Sequence, residues 1–181
     1  MGCDADINET ARGDHLAFGR IVVAHQNHIF AYLGRMGLDR AMAEDVAQET
    51  FLRVWRHAGK YNPRLGGLTT WILTIARNQA LTRLAQPLSR TEAPVGADTL
   101  EIASDTPLAD EQLVERQREH RLQVALAGLS AADRSLLSSS YVDGLDLAAI
   151  ANIEGCSIGA AKVRLHRARQ RLKQILEADH E

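Results

Sequence analysis

The sequence predicts an all-α protein in which a flexible acidic linker joins two small helical domains. Only 4% of the 181 residues are aromatic, whereas Ala and Leu, which favour helix over strand, are abundant. Apolar residues recur at steps of three and four along several segments, which is the period of an α-helix. Between residues 87 and 110 no such period survives, and three of the four prolines lie there.

Charge divides the chain in the same way. Residues 1–86 contain ten Lys or Arg and eight Asp or Glu, and residues 111–181 contain ten of each sign. Residues 87–110 contain one basic and five acidic residues, which is typical of a solvated tether. The predicted division is therefore a first domain at 1–86, a linker at 87–110 and a second domain at 111–181.

The composition excludes several classes of protein. A net charge of −2 argues against a histone-like binder held only by charge. The chain has no apolar run of transmembrane length and its polar, acidic start does not resemble a secretory signal, so we expect a cytoplasmic protein without membrane insertion.

No cofactor, metal site or enzyme activity is predicted. Cys3 and Cys156 match neither a disulfide framework nor a zinc spacing. His25 and His28 lie one helical turn apart, but no further ligands accompany them, and His25 falls in an apolar stripe. We therefore expect His25 to be a partly buried histidine with its hydrogen bonds satisfied and Cys156 to be a small filler.

In the first domain, periodicity predicts a helix through residues 18–33 that Gly34 and Gly37 close. A second helix follows at 40–57, and a third at 70–85 comes after a loop that contains the breakers Pro63, Gly66 and Gly67. One face of the second helix combines Asp45, Gln48, Glu49, Leu52 and Trp55. Acids, an amide and large apolar groups on one exposed face indicate a protein-binding surface. Alternatively, a neighbouring helix covers the leucine and the tryptophan, and periodicity alone favours neither.

The third helix is expected to expose Arg77, Asn78 and Arg83 beside the preceding loop. A loop next to a basic helix suits single-stranded nucleic acid, which needs base pockets beside phosphate contacts. The alternative is an ordinary connection with solvated arginines, and the residues by themselves favour it.

The second domain begins with two predicted helices near 111–126 and 130–140. Asp146 is expected to cap the next helix, Gly155 to form the turn, and Ser157 to cap a final basic helix. The stretch SIGAAKVRLHRARQRLK at 157–173 has six basic residues, no acid and one apolar face. A short helix, a turn and a basic helix predict a helix-turn-helix that binds DNA.

Three segments resemble one known family when they are taken in order. AEDVAQETFLRVWR (43–56) followed by GLTTWILTIARN (67–78) resembles region 2 of the sigma-70 family, in its extracytoplasmic-function (ECF) group. YVDGLDLAAIANIEGCSIGAAKVRLHRARQRL (141–172) resembles region 4 of that group. The short connection between the segments is also similar to the pattern of the group.

The resemblance implies a role for each matched position. Asp45, Gln48 and Glu49 correspond to the surface that docks onto the clamp helices of core RNA polymerase, and Leu52 and Trp55 then gain a partner. The loop at 61–70 corresponds to the reader of the −10 promoter element, which captures a flipped base. The expected −10 contacts are Tyr61, Asn62, Arg64, Arg77, Asn78 and Arg83.

In region 4 the basic helix would lie in the major groove of the −35 element. The expected contacts are Ser157, Ala160, Lys162, Val163, Arg164, His166, Arg167 and Arg169. Arg167 is the predicted base reader, because a guanidinium pairs bidentately with guanine. Two hydroxyls that the family usually has on this helix are replaced by Ala160 and Val163, which predicts an unusual or weak −35 preference.

The expected function is that of an ECF-type sigma factor that binds core RNA polymerase, directs promoter recognition and initiation on promoter DNA, and is controlled by an anti-sigma factor. One alternative is a sigma-like decoy that sequesters an anti-sigma factor, which the reduced set of DNA-facing residues motivates. The other is a stand-alone helix-turn-helix regulator, which leaves the first domain unexplained.

Overall fold

The computed structural model describes residues 3–86 and 110–178, and the regular structure of these residues is entirely helical. The predicted linker lies outside the described residues, apart from Asp110 at the start of a helix. The helices are α1 (Cys3–Thr10), α2 (His15–Arg35), α3 (Arg40–His57), α4 (Leu68–Ala85), α5 (Asp110–Ala127), α6 (Ala131–Leu137), α7 (Leu147–Glu154) and α8 (Ile158–Ala178), with a 3-10 turn at Ala58–Lys60 and a π-helical segment at Ser138–Val142.

Helices α1 to α4 form the first helical unit. Its core contains Ile29 and Leu33 from α2, Val54 from α3, and Ile72 and Leu73 from α4. The Asp14 carboxylate caps α2 by accepting the backbone N–H groups of residues 16 and 17, and the Asp39 carboxylate caps α3 by accepting that of residue 42. The predicted second and third helices are confirmed, and α2 continues through Gly34 to end at Arg35.

Helix α1 was not anticipated from the sequence. It is eight residues long and mostly polar, so it has too few apolar positions to show a period. The fully buried Ile7 anchors it to the core. Arg20 of α2 pairs with Asp6 at 2.6 Å and with Glu9 at 2.9 Å, which joins the two helices at the surface.

Helices α5 to α8 form the second helical unit, whose core contains Leu136, Leu137, Ile150, Ala161 and Leu165. The predicted helix starts are confirmed. The Asp146 carboxylate accepts the N–H of Ala149 at 2.7 Å, and the Ser157 hydroxyl accepts that of Ala160 at 3.2 Å. Gly155 ends α7 with a φ of 61°, a left-handed conformation that glycine adopts without steric cost. The turn of the helix-turn-helix is thus built by local sequence.

The helix predicted at 130–140 changes its winding after Leu137. The segment Ser138–Val142 is π-helical, and the N–H of Asp143 bonds the carbonyl of Ser138 at 3.0 Å. The wider turn brings Ser138 and Asp143 against the first unit, where Arg35 donates to the Ser138 hydroxyl at 2.6 Å and to the Asp143 carboxylate at 3.0 Å. A contact from the other unit therefore accompanies the departure from regular helix.

The two units pack directly against each other. Helices α2 and α4 face α6, α7 and the π-helical segment, and Ile153 of α7 is buried in the core of the first unit. Ala131 and Leu145 of the second unit also pack against that core, and several polar pairs complete the contact. We define the interdomain seam by its six central polar residues, Tyr32, Arg35 and Arg77 of the first unit and Ser135, Asp143 and Glu154 of the second.

Across residues 3–86 and 110–178, no helix combines the length and the apolar character that crossing a bilayer requires.

Candidate nucleic-acid and protein interfaces

The outer face of α3 carries four of the five side chains expected to bind protein. Asp45 and Gln48 are exposed, and Leu52 keeps 41% of its surface accessible. Glu49 is half-buried, and its carboxylate accepts a hydrogen bond from Arg53 one turn later at 2.7 Å. Positions 45, 48, 49 and 52 follow helical spacing, so these groups form one continuous strip. This strip, which we name the α3 face, offers carboxylates and an amide around an apolar centre.

Trp55 is placed differently from the rest of this set. Its ring stacks on His15 with 4.5 Å between ring centroids and meets Phe18 edge-on at 5.2 Å. The neighbouring helix α2 thus covers much of the tryptophan, while Leu52 stays open. The sequence left open whether a neighbouring helix covers Leu52 and Trp55. In the structure it covers much of Trp55 and leaves Leu52 exposed.

The loop expected to read the −10 element is a structured turn. The Asn62 side chain accepts the N–H of Arg64 at 3.0 Å, and the Tyr61 hydroxyl donates to the carbonyl of Gly66 at 3.3 Å. The Tyr61 ring lies 5.6 Å from that of Trp71 on α4. Asn62 and Arg64 project into solvent, whereas Tyr61 is half-buried. An aromatic wall with two exposed polar groups beside it suits an unstacked base.

Arg77 is not exposed as the sequence predicted. Only 8% of the residue is accessible, and its guanidinium makes two bonds to Glu154 of α7, at 2.7 and 2.5 Å. Ser135 donates to the same carboxylate at 3.1 Å. The physical reason is tertiary, because α7 packs over this face of α4 and supplies the opposite charge. Asn78 is exposed and Arg83 is half-buried, so they stay accessible in this arrangement.

Helix α8 presents the residues expected at the −35 element to solvent. Ala161, Leu165 and Ala168 are buried against the second unit. The remaining surface is basic. Of the positions predicted to contact DNA, Ala160 is half-buried and the others are exposed. The exposed positions are Ser157, Lys162, Val163, Arg164, His166, Arg167 and Arg169. A long basic ridge with an apolar back fits a major groove.

Neighbouring side chains hold parts of this ridge in place. The Arg169 guanidinium lies 5.0 Å above the ring of Tyr141, which is itself 64% exposed. Arg171 makes two contacts with the Asp133 carboxylate, at 2.9 and 2.8 Å. This ion pair depends on the packing of α6 against α8, which brings together residues 38 positions apart in the chain.

Of the polar residues of the interdomain seam, the sequence marked only Arg77 as a functional candidate; the others were missed. The Tyr32 hydroxyl and the Ser135 hydroxyl are 2.7 Å apart, and burial raises the pKa of Tyr32 to about 12. Asp143 accepts from His28 at 2.9 Å as well as from Arg35. No local pattern marks these residues, since the partners that meet across the seam are 77 or more positions apart in the chain.

Gly37 permits one further contact across the seam. Arg134 of α6 donates to the carbonyl of Met36 at 2.8 and 3.1 Å. A Cβ atom on Gly37 would lie 2.3 Å from the Arg134 guanidinium, and the φ of Gly37 is +94°. The backbone conformation favours glycine here, and any larger residue would also displace the end of the Arg134 side chain.

The histidine pair offers little for metal binding. Within the described part of the chain, no three His, Cys, Asp or Glu side chains come together as a metal site. Burial lowers the pKa of His25, nearby His28 lowers it further, and the Nε2 atom of His25 has no hydrogen-bond partner among the described residues. This unpartnered atom contradicts the expectation that the hydrogen bonds of His25 are satisfied. His28 instead bonds Asp143.

Comparison with known proteins identifies both units. Residues 21–90 match the family model for sigma-70 region 2, and residues 119–172 match the model for sigma-70 region 4. The ECF RNA polymerase sigma factor SigK of Mycolicibacterium vanbaalenii is 28% identical over 96% of this chain and 88% of its own length. The RNA polymerase sigma factor CarQ of Myxococcus xanthus is 32% identical over 88% of this chain and 89% of its own length.

Solved structures show the same fold. CnrH in complex with the cytosolic domain of CnrY matches with a TM-score of 0.70 at 20% identity, covering 99% of each chain. The sigma factor RpoE of Bartonella quintana, in complex with the anti-sigma factor NepR, matches with a TM-score of 0.61 at 22% identity, covering 90% of this chain and 98% of the other. At these identities the similarity concerns the fold.

The fold and its exposed surfaces define a helical transcription protein with a helix-turn-helix in its second unit. The chain belongs to the sigma-70 family of RNA polymerase sigma factors, in its ECF group. Like the other members of this family, it is a transcription initiation factor and not an enzyme.

Proposed function

We propose that this chain binds core RNA polymerase, directs it to promoters with two separated elements, and is controlled by an anti-sigma factor. This activity belongs in the cytoplasm, where polymerase and promoter DNA are. The observation that carries the proposal is that one chain combines the exposed acidic and apolar α3 face with the exposed basic ridge of α8. A stand-alone helix-turn-helix regulator would have no use for the first of these surfaces.

The α3 face is the proposed docking site for polymerase. Asp45, Gln48 and Glu49 supply negative charge and hydrogen-bond acceptors, and Leu52 supplies an apolar centre that water otherwise covers. Trp55 contributes less than the sequence suggested, because it already packs on α2.

Promoter contacts are proposed at two places. Tyr61, Asn62, Arg64, Asn78 and Arg83 line the −10 side, and Arg77 joins them once its bond to Glu154 is broken. On α8, Arg167 reads a base and Val163 touches a thymine methyl, while Lys162, Arg164 and Arg169 contact phosphate. Ser157, Ala160 and His166 complete the −35 surface.

An anti-sigma factor is the proposed regulatory partner. The RpoE protein of Bartonella quintana was solved with the anti-sigma factor NepR, and the described fold of this chain matches it. A chain in which the two promoter-facing units lie against each other is a suitable target for a protein that holds them there.

The proposal is tested by transcription of fragmented DNA from the source genome with purified core RNA polymerase. Reactions with and without the protein are compared, and the new start sites are mapped. We expect new starts that share two spaced upstream motifs. If a folded protein and an active polymerase produce no new starts, the decoy is the better interpretation, and its anti-sigma partner is then sought by co-purification.

Substitution of Glu49 tests the docking site. Glu49→Lys reverses a charge within the proposed docking site and should weaken binding to core polymerase by about 2 kcal/mol, or roughly 30-fold. Holoenzyme formation is measured by fluorescence anisotropy of labelled protein. Glu44→Lys is the matched control, because Glu44 lies on the same helix beside the α3 face and pairs with Arg40. Equal binding by the two variants would reject the assignment.

A further inference from the structure

We propose that Glu154 is an internal substitute for promoter phosphate that keeps the free protein closed. Its carboxylate is bonded to Arg77 of the first unit and lies beside Arg164 of the recognition helix. DNA therefore cannot bind Arg77 at the −10 element until the units separate. This inference rests on the proposed promoter-binding function of Arg77 and Arg164.

The geometry of the pair is that of anion recognition. The Nε and Nη2 atoms of Arg77 each donate to one oxygen of Glu154, which is the two-pronged arrangement that guanidinium groups also use for phosphate. The Glu154 side chain is 2% exposed and that of Arg77 is 10% exposed. In the closed arrangement, no phosphate can reach this guanidinium.

Glu154 is also connected to the second DNA-binding surface. It is the last residue of α7, directly before the Gly155 turn that leads into α8. The Nη1 atom of Arg164 lies 4.0 Å from the Glu154 carboxylate. One carboxylate therefore faces an arginine expected at the −10 element and another expected at the −35 element, and of these two contacts the one to Arg77 joins the two units.

A second contact places α7 beside the loop that reads the −10 element. The side-chain amide of Asn152 donates to the backbone carbonyl of Leu65 in that loop. Asn152 and Glu154 thus bring α7 against both the loop and its supporting helix α4. Separation of the units would free the loop and Arg77 together.

The chemistry of the seam is suited to reversible closure. A buried ion pair adds little net stability, because desolvation of both charges offsets their attraction, yet removal of one partner is unfavourable while the site stays closed. Opening restores hydration to both groups, and DNA phosphate then replaces the carboxylate at Arg77. If only an open fraction of the chain binds DNA, the apparent affinity falls in proportion to that fraction.

The decisive variant is Glu154→Gln, which keeps the size of the side chain and removes its charge. Glu177→Gln is the matched control, since it makes the same change of net charge at an exposed pair with Lys173 on α8. Small-angle scattering measures the compactness of the free full-length chain. We expect a larger radius of gyration for Glu154→Gln than for the wild-type protein and for Glu177→Gln.

DNA binding by the same three proteins is measured on a promoter fragment from the start-site mapping. Glu154→Gln should bind about tenfold more tightly than Glu177→Gln. A Glu154→Gln protein that is folded but as compact as the wild type would overturn the proposal. If Glu154→Gln opens but no form of the protein gives promoter-dependent starts, closure by Glu154 stands and the sigma function fails.

A second experiment does not depend on how well the Glu154 variant folds. In a Cys3→Ser/Cys156→Ala background, Arg35→Cys and Ser138→Cys are joined across the seam by a short bismaleimide. The linked protein should lose promoter-dependent transcription, while the same variant without the linker retains it. Full activity of the linked protein would show that closure does not block promoters, and the proposal would be wrong.

Discussion

Arg77 and Arg167 have the same side chain and were both expected at DNA, yet the fold treats them differently. Arg167 is exposed on α8, where it can enter a DNA groove, whereas Arg77 is buried against Glu154. Leu52 and Trp55 differ in the same way on α3, since only the tryptophan packs on α2. At this scale residue type identifies the chemistry that is available, and the neighbours decide whether a partner can reach it.

Tyr32 provides a prediction at the residue scale. Burial, which is the main cause, raises its pKa from 10.0 to about 12. The unfolded chain loses this proton near pH 10, whereas the folded chain keeps it. The contribution of the buried hydroxyl to the free energy of unfolding is therefore complete below pH 10 and is lost as the pH rises through about 12. Absorbance titration of tyrosinate should show one of the three tyrosines ionising late.

Tyr32→Phe is the control for that titration. It should abolish the late step. Three tyrosines that ionise together in the folded wild-type protein would contradict the buried Tyr32–Ser135 contact.

At the scale of elements, α8 carries two functions on opposite sides. Ala161, Leu165 and Ala168 attach it to the second unit, while its basic ridge points away. Caps at Asp146 and Ser157 and the left-handed Gly155 hold α7 and α8 at a defined turn. Because the ridge is fixed to a packed element, its side chains have a defined register for DNA.

Arg167→Ala tests the base-reading assignment on α8. Loss of a bidentate contact should cost about 1–3 kcal/mol and relax the preference at one base position. Arg169→Ala is the matched variant, because Arg169 is assigned to phosphate and should weaken binding evenly with a smaller salt dependence. Binding to promoter fragments with each base changed in turn separates the two. An even loss for Arg167→Ala would reject its role as a reader.

At the scale of the whole molecule, the contact between units differs in character from their interiors. Each unit has its own apolar core, while the contact between the units combines the hydroxyls and ion pairs of the interdomain seam with the apolar side chain of Ile153. Polar contacts can be exchanged for water when surfaces separate, whereas exposure of an apolar core is costly. Separation at the seam exposes Ile153 but leaves the rest of both apolar cores covered, so we expect the molecule to open there.

Asp143→Asn tests the contribution of the seam. The Asp143 side chain is 3% exposed and accepts from His28 and Arg35, so loss of its charge should lower the free energy of unfolding by about 1–2 kcal/mol. Urea denaturation followed by circular dichroism is the measurement. Asp146→Asn is the control, since asparagine also caps a helix and the position lies at the exposed start of α7. Equal destabilisation by both changes would show that the seam adds nothing.

Much of the fold was predictable because it depends on short stretches of chain. The spans of α3, α4 and α5, the caps of α7 and α8, and the glycine turn follow from periods and pairs within four residues. The short α1 and the π-helical segment were not predictable. Ile7 is a single apolar anchor, and the winding of the π-helical segment accompanies contacts with Arg35 in the other unit.

The sequence by itself determined most of the helices, the basic ridge on α8, the acidic strip on α3 and the family. These properties depend on residues that are neighbours along the chain, where helical geometry is the only structure that must be assumed. Only the tertiary structure decided that Arg77 is buried, because its partner Glu154 lies 77 positions away. A charge pair at that separation leaves no periodic trace, since its geometry is set by the packing of two helical units.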